Sequence, residues 1–288
     1  MASLKEIKTR IASVSSTLKI TSAIKLVASS KLRKVQTATV SLNRYMESLS
    51  NILGSLIAGK QISMPLTQAH DKISKVTIIV ISSNSSLCGS YNGNVIKALN
   101  KTITEYQSKG VSQIEIIPIG EKVARASEKI SGVSRVMTYR HSAEKCTYGE
   151  LAELARSLMD AFAKGETDEV KIVYTRFKSM SSQSVQSSVF LPFDTNNIKG
   201  GATLDEDYIL EPSAVEIIEH LLPYTMSTML YDSFLSSNAS EHSARMIAMQ
   251  TATDNAKEIL EELRLTYNKQ RQTAITEELT DISNGAQK

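Results

Sequence analysis

The stretch "LKEIKTRIASVSSTLKITSAIKLVASSKLRK", Leu4 to Lys34, decides how this chain is to be read. Apolar or small residues recur in it at steps of three and four: Leu4, Ile7, Ile11, Val14, Leu18, Thr21, Ala28 and Leu32, with Lys25 in the same frame. Val35, Thr39, Leu42, Met46, Leu49, Leu53 and Leu56 carry the frame onward, and no Pro or Gly interrupts it before Gly54. A seven-residue repeat held this long is the pattern of a coiled-coil seam, not of a short amphipathic helix. Roughly 50 residues at about 1.5 Å each make a rod of about 75 Å, which must pair with another helix along most of its length.

The partner lies at the other end. Pro212 suits the first helical position, and Pro223 restarts the helix one turn on. Between Pro223 and Gly285 there is no Pro or Gly, and small or apolar residues recur at Ala244, Ala248, Ala252, Ala256, Ile259, Leu263 and Tyr267. Chain ends usually fray. Here the pattern persists: Ala274, Ile275, Leu279 and Ile282 share one side, just after Arg271 and Gln272.

Between the two rods, "KVTIIVIS" (Lys75–Ser82), "QIEIIPIG" (Gln113–Gly120), "DEVKIVYTRFK" (Asp168–Lys178) and "SVQSSVFLPF" (Ser184–Phe193) have strand character. "GNVIKALNKTITEYQSKG" and "YGELAELARSLMDAFAKG" have helical spacing and end in Gly110 and Gly165. Strands alternating with helices predict βαβ units and a mostly parallel sheet covered on both faces, with the last two strands antiparallel. The expected fold is α/β. A long antiparallel coiled coil of the N- and C-terminal helices (residues 1–59 and 212–288) carries a Rossmann-like α/β domain (60–211).

The 288 residues carry a net charge of +3, with 41% apolar and 22% charged residues, the balance of an ordinary soluble protein. No run is read as bilayer-spanning, and "MASLKEIKTR" lacks the apolar core of a secretory signal, so a cytoplasmic chain is expected. Cys88 and Cys146 have no metal spacing and read as buried or free thiols. His70, His141, His220 and His242 are scattered, and no metal, cofactor or catalytic residue is assigned.

"GSLIAGKQ" (Gly54–Gln61) resembles a phosphate-binding loop but has Gln61 where a hydroxyl must hold magnesium, and it follows a helix rather than a strand. It reads as a helix terminus. "SSNSSLCGSYN" (Ser82–Asn92) lies where α/β domains bind ligands. It lacks a glycine fingerprint and a nearby His, and reads as a tight polar turn with a small buried thiol. An enzyme using Cys88 is the alternative to which that turn gives rise.

Charge is uneven. Through Arg44 the first rod carries Lys5, Lys8, Arg10, Lys19, Lys25, Lys31, Arg33, Lys34 and Arg44 against only Glu6, whereas "LDEDYILEPS" (Leu204–Ser213) is acidic. A solvated face, an acidic protein surface and nucleic acid would each satisfy the basic rod. Against nucleic acid, no aromatic stacking residue occurs before Tyr45.

These residues resemble the γ-subunit family of the F-type ATP synthases, in its bacterial form. The Leu4–Lys34 stretch is similar to that family's N-terminal shaft helix, and "ASEHSARMIAMQTATDNA" (Ala239–Ala256) to its C-terminal helix. "YNKQRQTAITEELTDISNGA" carries its terminal signature: Ile275, Thr276, Glu278, Asp281, then Gly285 and Ala286. "SLCGSYN" is similar to its G-L-C-G turn, although Ser85 stands where the family carries a basic residue.

The resemblance implies a non-catalytic rotor shaft in the central stalk of a proton-translocating ATP synthase. Turned by the membrane c-ring, the shaft would drive the catalytic sites of an αβ hexamer, whose β subunits do the chemistry. It implies hexamer contacts at Lys25, Arg271, Gln272, Ile275 and Glu278. Contacts with the ring and the ε subunit would fall at a foot containing Tyr208 and Glu211. The location implied is peripheral, on the cytoplasmic face of a bacterial inner membrane, with no nucleic acid bound and no cofactor.

Overall fold

The computed structural model describes residues 3–57, 64–195 and 210–285. It divides into two compact units, one made of Met1–Ser30 with Arg245–Lys288, the other of Lys31–Ala244. Helix α1 spans Leu4–Ile57 and helix α5 spans Ala214–Gly285.

The first unit is a two-helix pair. Ser3 and Glu6 cap α1 reciprocally: the Glu6 amide donates to Ser3 Oγ at 3.3 Å, and the Ser3 amide to Glu6 Oε2 at 2.9 Å. Every residue of the predicted α1 seam, from Leu4 to Ala28, is buried or half-buried. Along α5 six of the seven expected positions, all but Ile259, are buried or half-buried. Met249, Thr253, Ala256 and Leu260 are buried, followed by half-buried Leu263, Tyr267 and Gln270, whereas Ile259 is 45% exposed. An alanine every fourth residue drifts around a helix of 3.6 residues per turn, so the steps of three and four through Leu260 mark the buried line.

The second unit holds the sheet. Strands β1 (Lys75–Ile81), β2 (Gln113–Ile119), β3 (Ser134–Arg135), β4 (Glu169–Phe177) and β5 (Gln183–Leu191) lie in the order β3-β2-β1-β4-β5. β1 pairs parallel with β2 and β4, β2 parallel with β3, and β4 antiparallel with β5. Helices α2 (Tyr91–Ser108), α3 (Glu121–Ser127) and α4 (Tyr148–Ala163) complete it. Alternation along the strands makes two cores. Val76, Ile78 and Val80 join Val95, Leu99 and Ile103 of α2, while Ile79 and Ile81 join Leu151, Leu158 and Phe162 of α4.

The second core also takes in Leu53 and Leu56 of α1 and Ile218, Leu222, Met226 and Leu230 of α5. This half of α1 therefore packs into a globular core instead of a helix pair alone. α4 begins with the capping box that "TYGE" encodes: the Thr147 amide donates to Glu150 Oε2 at 2.7 Å and the Glu150 amide to Thr147 Oγ1 at 3.4 Å.

Three expectations change. α5 begins at Ala214, capped by Ser213 Oγ, so Pro212 is not its first residue. Pro223 lies inside the continuous helix. α1 contains an 18-residue window of mean hydropathy 1.2, so by length and composition it is apolar enough to cross a membrane. The cause is apolar side chains outside the seam: Ile20, Leu26 and Val27 are exposed between widely spaced lysines. Residues 58–63, which hold the end of the loop-like "GSLIAGKQ", lie outside the described residues, as does most of the acidic stretch from Leu204.

Candidate functional site: the helix pair and its unpaired end

In the first unit two polar layers fix how the helices meet. Thr253 Oγ1 lies 2.9 Å from Thr21 Oγ1 in a buried layer. One turn on, Lys25 Nζ donates to Gln250 Oε1 at 2.6 Å, and Gln250 Nε2 donates to Asp254 Oδ2 at 2.6 Å. Partners 21 with 253 and 25 with 250 run in opposite directions, so the pair is antiparallel. Extending that register places Leu4 and Ile7 against Gln270 and Tyr267, all four buried or half-buried.

Past Ala274, α5 runs beyond the described start of α1. Ile275, Leu279 and Ile282 are exposed there, the last two by 62% and 68%. Arg271, Gln272 and Glu278 are exposed on the same helix end. A single helix end with three large aliphatic residues in water has spent helix order without burying its apolar side chains. Glu211 is exposed just before α5, and Tyr208 lies outside the described residues.

The structure therefore brings Arg271, Gln272, Ile275 and Glu278 onto one helix end but sets Lys25 on the seam. Sequence reasoning missed Lys25's partner Gln250. Lys25 stands in the expected α1 frame, but Gln250 lies outside the expected α5 frame, so the apolar pattern carried no signal for the pair.

In the second unit the Cys88 turn is held from within. Asn92 Nδ2 donates to Ser83 Oγ at 2.8 Å and to Cys88 Sγ at 3.0 Å, and the Ser83 amide donates to Asn92 Oδ1 at 3.2 Å. Cys88 is buried, Leu87 takes a left-handed φ of 69° and Gly89 one of 57°. The turn is a packed structural element, with its asparagine spent on holding the chain. Cys146 is buried as well, and burial first, then the Glu150 carboxylate, push its thiol up to about 12, far from a reactive thiolate at neutral pH.

Beside the turn, Glu121 is the hub of an ion network that sequence reading did not find. Arg140 Nε donates to its Oε2 at 2.6 Å, Arg125 pairs with it, and Arg140 also reaches Glu128 at 2.8 Å. Hydrogen bonds from Arg140 and then Arg125 hold the Glu121 carboxyl down at about 2. Among the described residues no three His, Cys, Asp or Glu side chains are grouped to hold a metal ion.

The family model described as ATP synthase matches residues 3–287. The chain belongs to the ATP synthase γ-chain family. It is 43% identical to the ATP synthase gamma chain of Bacteroides thetaiotaomicron, over 99% of both chains. It is 44% identical to that of Bacteroides fragilis (strain ATCC 25285), over 99% of both chains, and 40% to that of Flavobacterium psychrophilum, over 100% of this chain and 99% of the other.

Its fold is similar to a chain of the Euglena gracilis mitochondrial ATP synthase OSCP/F1/c-ring assembly (TM-score 0.64, 20% identity, 98% of this chain and 92% of that one). It is also similar to a chain of the Tetrahymena thermophila mitochondrial ATP synthase central stalk/c-ring (TM-score 0.56, 22% identity, 81% and 99%). As a γ chain of an F-type ATP synthase it is the central-stalk rotor subunit. The long terminal helices and mostly parallel sheet agree with that assignment.

Proposed function

We propose that this γ chain couples rotation of a membrane c-ring to ATP synthesis and hydrolysis in an αβ hexamer, with catalysis in the β subunits. Residues 1–59 and 212–288 would form the shaft, and 60–211 a separate α/β domain. The observation that carries the reading is the end of α5, helical to Gly285 with Ile275, Leu279 and Ile282 uncovered. An apolar helix tip without a partner helix fits a sleeve formed by other subunits. Arg271, Gln272, Ile275 and Glu278 would meet that sleeve, as would Lys25 wherever Gln250 releases it. Tyr208 and Glu211 would belong to the foot, near the ring and the ε subunit. The complex would hold the chain peripherally on the cytoplasmic face of a bacterial inner membrane.

The test is reconstitution with the α and β subunits of the same source. Co-purification of the three is expected. Arg271→Ala with Gln272→Ala is expected to lower coupled ATP turnover while circular dichroism of the variant is unchanged. Normal turnover by that double variant would remove the site assignment, and failure of the wild-type chain to co-purify would remove the function.

A further inference from the structure

Tyr45 of α1 and Tyr224 of α5 are separated by 179 residues, yet their hydroxyl oxygens lie 3.1 Å apart. Their rings meet edge to face at 6.2 Å between centroids. They are 44% and 43% exposed, and among the described residues they are the only exposed tyrosines. Tyr91 and Tyr106 are buried, and Tyr139, Tyr148, Tyr174, Tyr231 and Tyr267 are half-buried. Tyr148 stands 6.5 Å from Tyr224 and 5.6 Å from Tyr231, so the exposed pair is the open end of an aromatic row.

A phenol on a protein surface is the side chain that one-electron oxidants attack without a metal site. An isolated tyrosyl radical is reduced again or meets another molecule. A radical formed here has a second accessible phenol within hydrogen-bonding distance. We propose that Tyr45 and Tyr224 form an oxidative modification site, at which a peroxide-driven one-electron oxidant joins them ortho to ortho into dityrosine. Each phenol loses one electron and one proton. The two radicals form one carbon–carbon bond, and transfer of each ortho ring proton to its own ring's carbonyl oxygen restores both phenols. Hydrogen peroxide takes up the two electrons and two protons and leaves as two waters. The product is a covalent strap between α1 and α5 within the second unit, in place of a hydrogen bond between exposed groups.

The test uses the purified full-length chain with hydrogen peroxide and a haem peroxidase. The expected product is a monomer two hydrogen atoms lighter, with the blue fluorescence of dityrosine. Digestion should give one new species joining the peptide that holds Tyr45 to the peptide that holds Tyr224. Tyr45→Phe and Tyr224→Phe should each lose the intramolecular product, with circular dichroism unchanged. Tyr148→Phe should keep it. No intramolecular product, a product that persists in either single variant at the exposed pair, or one that Tyr148→Phe abolishes would overturn the assignment. None of these readouts depends on the partner subunits, so the result stands apart from the proposed rotor function.

Discussion

Thr253 Oγ1 donates to Thr21 Oγ1 at 2.9 Å, in a buried layer between α5 and α1 of the first unit. Thr21 sends its own proton to Leu18 O at 3.1 Å, so Thr21 accepts and Thr253 donates. A shared hydroxyl pair fixes axial register in a way that aliphatic side chains, free to slide by a turn, do not.

That arrangement predicts non-additivity. Thr253→Val keeps the shape and removes the donor, leaving Thr21 with one unmet acceptor, at a cost of about 1 kcal/mol. Thr21→Val leaves Thr253 free to donate to Met249 O, at 2.7 Å, and costs less. The double variant should be close to the wild type in stability, because two matched methyls then face each other. Urea titrations of the four chains read the coupling, and additive losses would remove it.

A second prediction concerns Gly120, at the end of β2. It has φ of +112°, and an added Cβ would overlap the Ser82 carbonyl of the neighbouring β1 end. Two of the three crowding atoms, the Ser82 carbonyl carbon and oxygen, are backbone and cannot swing aside as Ser82 Oγ can. Gly120→Ala should cost about 3 kcal/mol or more, seen as a large fall in the urea midpoint. Gly93→Ala, with open space at its Cβ position, should be stable to within about 1 kcal/mol.

These two cases show what was legible. The α1 seam follows from a period of seven, and four of the five strands and the antiparallel last pair from β-branched runs and their spacing, which burial writes directly into sequence. The two-residue β3 and the seven-residue α3 are too short for any period to show. In α5 one expected seam residue, Ile259, is exposed and Leu260 is buried beside it, because small residues such as Ala248 and Ala252 satisfy several frames at once. The proposal of Arg271, Gln272, Ile275 and Glu278 as contact residues comes from family likeness and the apolar pattern. The Lys25–Gln250 bond and the Glu121 network were not legible, since each joins residues brought together only by the fold.

A third prediction concerns how α5 is keyed to β4 in the second unit. Ser236 Oγ accepts from the Phe177 amide at 2.9 Å, Ser240 Oγ donates to Thr175 O at 3.2 Å, and Ser243 Oγ donates to Met180 O at 2.9 Å. Ser237 Oγ meets the Tyr91 hydroxyl at 2.8 Å. Small hydroxyls let the helix backbone come close while satisfying strand groups that would otherwise be buried without partners. Ser236→Ala strands the Phe177 amide and should cost about 1 to 2 kcal/mol. Hydrogen exchange at Phe177 should accelerate by more than at Val173, in the strand interior, and equal acceleration at both would show global loosening instead.

The last prediction is a pH dependence at the connection into β1. Asp168 accepts from the Ser74 and Lys75 amides, each at 2.8 Å, and from Ser74 Oγ at 3.1 Å, and its other oxygen meets His70 Nδ1 at 2.9 Å. His70 in turn stacks on Phe162 with centroids 4.7 Å apart. Burial pushes the Asp168 carboxyl up, but the bonds from His70, Ser74 and Lys75 outweigh it and hold the group at about 2, below its ordinary 3.8. A carboxyl depressed in the folded state binds fewer protons there than in the unfolded chain. Its contribution is therefore complete above about pH 4 and is lost as pH falls from there towards 2. Asp168→Asn keeps the size but lacks the charge, and should cost about 1 to 2 kcal/mol at pH 7 once solvent screening is allowed for. Urea unfolding of both chains across that range should show the gap closing as the wild type becomes protonated. A gap that stays constant down to pH 2 would mean the carboxylate charge contributes nothing to holding β1 and β4 together at their starts.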